Sequence, residues 1–250
     1  MTRQYLIRKR HEGARRRSLT VAELRQLTPG YLSILFHCDD FGGFASTAFD
    51  DHVKLFLAGE DGPDGRPPMR DYTPRAFDPD KGEFVIEFAL HDAGPATDWA
   101  RSAQVGDKLE IAGPRGSAAL VEDLDWYWLI GDETAIPAIS RCLEERPDSR
   151  VHAIVMVAGP EEEVPLPASA NHEITWVHRP LAEAADPRAI LRALAGLTLP
   201  DGEGFVWIAA EASVARAARE ALLAAGHPLQ RMKARGYWVS GEADSTTQFD

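Results

Sequence analysis

The chain has 250 residues, 44% hydrophobic and 26% charged, with a formal net charge of -12. That balance describes an ordinary globular chain, long enough for one large or two modest domains, and its acidity argues against bulk nucleic-acid binding. No run of about 18 uncharged apolar residues marks a membrane span and no apolar leader core opens the chain. The distant Cys38 and Cys142 offer neither a disulfide framework nor metal spacing. The expected setting is a reducing cytoplasm.

Residues 1–16 read as a basic arm: the first 17 residues hold seven basic groups against one acid, Glu12. A solvated terminus is the plain reading, and contact with nucleic acid or lipid is the alternative. Residues 17–121 then read as β structure. YLSILFHC (Tyr31–Cys38), HVKLFLAG (His52–Gly59) and GEFVIEFALH (Gly82–His91) are short, partly alternating runs. A turn-rich DGPDGRPP (Asp61–Pro68) lies between two of them. GPATDWARSAQVG is a helical insert, and VGDKLEIAGPRGS reads as turn, strand and turn. Such spacing suggests a sandwich or barrel.

The character changes near Glu122–Trp126. Over residues 122–250, WYWLI, VHAIVMVAG, EITWVH and GFVWIAA read as buried strands. Between them, TAIPAISRCLEER puts Ile136, Ile139 and Leu143 on one helical face before Pro147. PRAILRALAGL and SVARAAREALLAAG are further helices, the last closing at Gly226. Strands alternating with helices imply a parallel sheet. A barrel followed by an α/β domain can bring two flat cofactors face to face, and the α/β half offers a site outside the carboxyl ends of its strands.

Three stretches carry chemistry. In RDYT, Arg70 and Tyr72 share a strand face, and Thr73 adds a hydroxyl held extended by Pro74. An arginine beside a ring suits a phosphate next to a flat apolar plane; a plain strand end is the competing reading. HDAGPATDWA places Ala96 or Thr97 near a helix start, which suits a pyrophosphate or is an ordinary helix start. LIGDETAIPAI stands where a dinucleotide fingerprint would lie, yet it is not G-x-G-x-x-G. Its Asp132 and Glu133 would repel a phosphate unless they cap the helix or meet a ribose hydroxyl. No Ser/His/Asp or paired-carboxylate arrangement is legible.

Taken in order, RDYTPR, HDAGPATDWA, GDKLEIAGPRGS, WYWLIGDETAIPAISRCLEE, VWIAAEASVARAARE and GYWVSGEAD resemble the siderophore-interacting protein family, flavin-dependent ferric-siderophore reductases of the ferredoxin-reductase superfamily. The likeness runs from Arg17 to Gly241, and its specific runs are GDETAxPAI and GPAxxWA. It implies a β-barrel plus α/β fold: an N-terminal six-stranded antiparallel flavin-binding barrel, then a C-terminal parallel-sheet domain of the NAD(P)H-binding type. It also implies FAD on Arg70, Tyr72 and Thr73, with Arg70 toward the pyrophosphate or ribityl side, Tyr72 on the isoalloxazine and Thr73 near N5. Tyr72 and Thr73 are therefore the candidate catalytic residues. His91 would sit beside the flavin, Gly94, Ala96 and Thr97 would hold the pyrophosphate, and Trp99 would pack the helix. Asp132, Glu133 and Thr134 would line the nicotinamide side, with Trp238 also counted among the cofactor residues. The family usually closes G-Y-W-R-x-G, so Val239 stands where an arginine is expected; Arg231, Lys233 and Arg235 lie just upstream.

The implied activity passes electrons from NAD(P)H through FAD to siderophore-bound Fe(III) and releases Fe(II) in the cytoplasm. A bulky anionic substrate calls for a basic patch. Lys54 interrupts an apolar strand, and Arg115 and Arg235 follow domain-edge turns, so these three are the candidate substrate residues. No protein metal site is expected, and the remaining histidines read as structural or surface groups. The acidic run Glu161–Glu163 reads as a solvated loop; if it faced the adenosine ribose it would favour NADH. A monomer is expected, with ferredoxin as an alternative donor. Two other functions compete: a general NAD(P)H-flavin oxidoreductase, and a non-catalytic siderophore-binding protein.

Overall fold

A computed structural model describes residues 3–57, 67–90, 94–121, 123–242 and 246–249. It divides the chain into two units, Leu6–Leu120 and Met1–Tyr5 with Val121–Asp250.

In the first unit, β2 (Arg16–Thr28), β3 (Tyr31–His37), β4 (Val53–Phe56), β5 (Met69–Tyr72), β6 (Ala76–Asp78), β7 (Glu83–Ala89) and β8 (Lys108–Ala112) form one antiparallel sheet in the order β5-β4-β8-β2-β3-β7-β6. The sheet has seven strands where the family resemblance implied six, the three-residue edge strand β6 among them. Alternation is clean in β7, where Phe84, Ile86 and Phe88 are fully buried. Each contributes about 1.5–3 kcal/mol by leaving water. Tyr72 on β5 touches Phe88 on β7, with ring centroids 4.8 Å apart, although four strands separate them in the sheet order. The sheet therefore curls around one core into a barrel. Helix α1 (Pro95–Ser102) closes it. As expected, Trp99 packs this helix down, 6.1 Å from Phe36 and 5.9 Å from Phe88.

The basic arm is not a loose terminus. Its β1 (Leu6–Arg10) pairs antiparallel with β9 (Gly116–Leu120). Arg17 is buried and donates to the carbonyls of Gly13, Arg15, Asp40 and Gly42 at 2.8–3.2 Å. Backbone pairing and these bonds outweigh the charge repulsion that made the stretch look solvated.

In the second unit, β10 (Trp126–Gly131), β11 (Val151–Val157), β12 (His172–His178), β13 (Gly204–Glu211) and β14 (Met232–Trp238) run parallel, and the short β15 (Thr247–Gln248) adds antiparallel. The order is β12-β11-β10-β13-β14-β15. Chain direction across the sheet reverses between β10 and β13, which places a crevice at their carboxyl ends. The helices are α2 (Ile136–Glu145), α3 (Arg188–Ala195) and α4 (Ala212–Ala224). Gly131 ends β10 because a Cβ there would lie 2.4 Å from the Ala135 Cβ and 3.0 Å from the Ala209 carbonyl. Its role is close approach of the turn into α2. Among the described residues no helix is long and apolar enough to cross a membrane.

Candidate functional site

Register decides which way the RDYT side chains point. In the β4–β5 pair, Tyr72 lies opposite Val53 and Arg70 opposite Leu55, two fully buried core residues. Directly opposed residues share a face, so Arg70 and Tyr72 lie together on the inner side, as the period of two requires. Asp71 lies opposite Lys54 on the other face. Burial pushes the Tyr72 phenol well above its ordinary pKa, against a smaller opposing pull from the Arg70 charge. Tyr72 is thus a neutral ring at physiological pH. Thr73 is buried and makes no side-chain hydrogen bond among the described residues.

Among the described residues, no side chain caps the start of α1. Gly94 precedes it, and a Cβ at Gly94 would meet nothing within 4 Å. The first intrahelical bond runs from the Asp98 N–H to the Gly94 carbonyl at 2.8 Å. The N–H groups of Ala96 and Thr97 therefore have no intrahelical partner, and the positive end of the helix dipole lies there. Tyr72 and α1 are joined through Phe88, which touches both Tyr72 and Trp99. A guanidinium, a neutral ring, an uncommitted hydroxyl and uncapped helix N–H groups fit a flat cofactor with a pyrophosphate tail. His91 lies outside the described residues.

At the carboxyl ends of the parallel strands, the acids are engaged. Asp132 is 1% exposed and accepts four hydrogen bonds. They come from the Thr134 N–H (3.0 Å) and hydroxyl (2.5 Å), the Glu211 N–H (2.8 Å) and the Trp238 indole (2.9 Å). It caps the turn into α2 and ties β10 to β13 and β14. Glu133 is buried in a forked ion pair with Arg179 after β12, at 2.5 and 3.1 Å. Burial, then the adjacent Asp132 charge, raises the Glu133 pKa against the pull of Arg179. Glu211 caps α4 through the Ser213 and Val214 N–H groups and also accepts from the Ser240 N–H. Asp132, Thr134 and Trp238 are thus one bonded cluster, and Glu133 forms a separate ion pair next in the chain. Glu211 belongs to the cluster and Arg179 to the Glu133 pair, and the sequence reading missed both; Glu211 directly before a helical run was the available signal.

The substrate candidates separate. Lys54 pairs across the strands with Asp71 at 2.8 Å, and His52 lies 3.9 Å from the same carboxylate. Lys54 is therefore on the face opposite Arg70 and Tyr72, with its charge partly balanced. Arg115 is exposed in the turn between β8 and β9. Arg235 is half-buried on β14 in the other unit. Val239 begins a turn whose Glu242 N–H returns to its carbonyl at 3.1 Å. Of the acidic run, Glu163 pairs with His178 at 2.8 Å.

A His–Ser–Asp trio does exist, contrary to the sequence reading. His11, Ser117 and Asp51 are all buried. The Ser117 hydroxyl donates to Asp51 Oδ2 (2.6 Å) and accepts from the Thr47 N–H (3.2 Å). Its only hydrogen is committed, so the 2.7 Å contact to His11 needs the hydrogen on Nε2. A serine that donates to the carboxylate is not activated by the imidazole, so the trio pins β1 and β9 to the Ser46–Asp51 segment rather than making a nucleophile.

Comparison with known proteins adds the family. Residues 124–241 match the family described as siderophore-interacting protein, and residues 20–65 and 59–118 match the siderophore-interacting FAD-binding domain. The NADPH-dependent ferric-chelate reductase of Escherichia coli is 34% identical over 241 residues, covering 89% of this chain and 92% of that protein. The ferric vibriobactin reductase ViuB of Vibrio cholerae is 27% identical over 203 residues, 74% of each. Among solved structures, a siderophore utilization protein from T. fusca superposes with a TM-score of 0.85 at 35% identity, covering 98% of this chain and 99% of that one. The chain belongs to the siderophore-interacting protein family.

Proposed function

We propose that this protein is an FAD-dependent ferric-siderophore reductase. One NAD(P)H provides the electrons for two ferric complexes, giving two Fe(II), NAD(P)+ and a proton. When bound, FAD supplies the conversion between a two-electron donor and a one-electron acceptor. The observation that supports the reading is the junction of Tyr72, Phe88 and Trp99, which links the RDYT strand to α1. Arg70, Ala96, Thr97 and Gly94 hold the anionic tail, Tyr72 covers the ring system, and the Thr73 hydroxyl hydrogen-bonds at its edge. Residues 17–121 form the flavin domain and residues 122–250 the nicotinamide domain, where Asp132 and Glu133 shape the first turn of α2. The protein works in the cytoplasm as a monomer.

Fe(II) binds hard siderophore oxygens far less tightly than Fe(III), so electron transfer alone frees the metal and no general base is required. Lys54, Arg115 and Arg235 favour an anionic complex. The Lys54–Asp71 pair and Val239 weaken that preference and favour a second reading, a reductase of broader acceptor range. Anaerobic titration tests both. NADH, NADPH or reduced ferredoxin should bleach the flavin absorbance, and a ferric siderophore should restore it faster than ferricyanide or a quinone does. A flavin restored no faster by the iron complex refutes the siderophore reading, and a colourless protein that binds no FAD refutes both.

A further inference from the structure

The seven basic groups of the N-terminal stretch fall into two classes. Arg3 pairs with Asp123 and Glu203, Arg15 with Asp40, and Arg16 with Glu110, while Arg17 is buried on backbone carbonyls. Arg8, Lys9 and Arg10 are exposed on β1 and make no ion pair or side-chain hydrogen bond among the described residues. Arg115 is exposed and equally unpaired. The arm's one acid, Glu12, is exposed beside them.

The backbone links these cations to the Lys54 strand. Arg10 lies opposite Gly116 in the β1–β9 ribbon, and the His11 N–H bonds to the Arg115 carbonyl at 3.0 Å. Arg115 is three residues beyond Ala112, which pairs with Lys54. Both faces of β1 are exposed, so Arg8 and Arg10 project from one face and Lys9 from the other. On a chain of net charge -12, an anion meets repulsion over most of the surface, and an uncompensated cationic strip concentrates its approach.

We propose that the β1–β9 ribbon, through Arg8, Lys9, Arg10 and Arg115, is an electrostatic guide that makes anionic ferric complexes the preferred acceptors and delivers them to the Lys54 edge of the barrel. The inference rests on the reductase reading given above. Arg8, Lys9 and Arg10 are specificity residues that act on encounter, so they raise kcat/KM for a charged acceptor and leave kcat alone.

The test compares a trianionic ferric tris-catecholate with a neutral ferric tris-hydroxamate. The Arg8→Gln, Lys9→Gln, Arg10→Gln triple variant should lose about tenfold in kcat/KM for the trianion at low ionic strength. The difference from wild type should shrink as salt shortens the screening length to about 8 Å near 0.15 M. The neutral complex should be reduced at an unchanged rate. Arg8→Lys with Arg10→Lys keeps the charge and should keep the rate, which a structural role for the arginines would not. Equal loss with both acceptors, or no loss with either, overturns the proposal. If wild type reduces neither complex, the reductase reading fails by itself, and the ribbon is then read from affinity for the redox-inert gallium(III) tris-catecholate. Unchanged gallium-complex affinity in the triple variant overturns the guide. Loss of sedimentation with anionic vesicles alongside unchanged gallium binding would make the ribbon a membrane contact instead.

Discussion

Asp132→Asn changes one atom and should cost far more than its size suggests. The carboxylate accepts two hydrogen bonds on each oxygen: Thr134 twice on Oδ1, and the Glu211 N–H and Trp238 indole on Oδ2. An asparagine keeps one acceptor oxygen and turns the other position into a donor. Two of the four donors then face an N–H group in a site that is 1% exposed. Each buried donor left unmatched costs about 1–3 kcal/mol, so the variant should lose about 2–6 kcal/mol. The assay is urea unfolding followed by tryptophan fluorescence. Five of the six tryptophans (Trp126, Trp128, Trp176, Trp207, Trp238) lie in the Val121–Asp250 unit, so the signal reports the α/β sheet. Trp238→Phe removes a single donor and should cost about 1–2 kcal/mol. An Asp132→Asn protein within about 0.5 kcal/mol of wild type, the range of an ordinary surface change, would refute the hub and return Asp132 to the candidate ligand contacts.

The other predictions follow from neighbouring groups. Asp71→Asn frees Lys54 and should raise kcat/KM for an anionic ferric complex several-fold, while Lys54→Gln lowers it; stability should move by no more than about 1 kcal/mol, because the pair is partly exposed, and denaturant melts check that. Glu133→Gln leaves Arg179 buried without its partner and should cost about 3–5 kcal/mol. The paired change Glu133→Met with Arg179→Met should recover most of that loss in a double-mutant cycle. Burial lowers the pKa of both His152 and His227 below the ordinary histidine value of about 6.5. Their contribution is therefore complete above pH 6.5 and is lost as pH falls through the depressed folded values. Melting temperature should drop on acidification, and His152→Gln with His227→Gln should flatten the slope.

Much of the architecture was legible because burial leaves a period. Phe84, Ile86 and Phe88 announce a half-buried strand, and Ile136, Ile139 and Leu143 announce a helix face. Strand β2 was missed because its second half, Glu23 to Gln26, is polar and register shifts break its alternation. Strand β14 was missed because Lys233 and Arg235 sit on a half-buried face and hide the alternation. Site residues were legible as identities, while their partners were not. Asp132 meets Trp238 across 106 residues and Glu133 meets Arg179 across 46. Only the strand order β12-β11-β10-β13-β14 brings those ends together. The Asp71 counter-charge of Lys54 was not legible because the pairing depends on the β4–β5 register across a long connection.

The acids that argued against a nucleotide site bear differently on it once their bonds are known. Read one at a time, Asp132, Glu133 and Glu211 put three negative charges at the carboxyl edge of the sheet, where an anionic dinucleotide would have to sit. Asp132 is met by four donors, Glu133 by a guanidinium, and Glu211 by the first turn of α4 and the Ser240 N–H. Each charge is balanced within the edge, and the repulsion expected from the sequence is largely screened before a ligand arrives. The same carboxylates fix the strand ends and the starts of α2 and α4 relative to each other, which a precise nicotinamide alignment requires. On this account the loss of a glycine-rich fingerprint follows from the design of the edge. A sheet rim held by bonded side chains leaves little room for a backbone phosphate cradle.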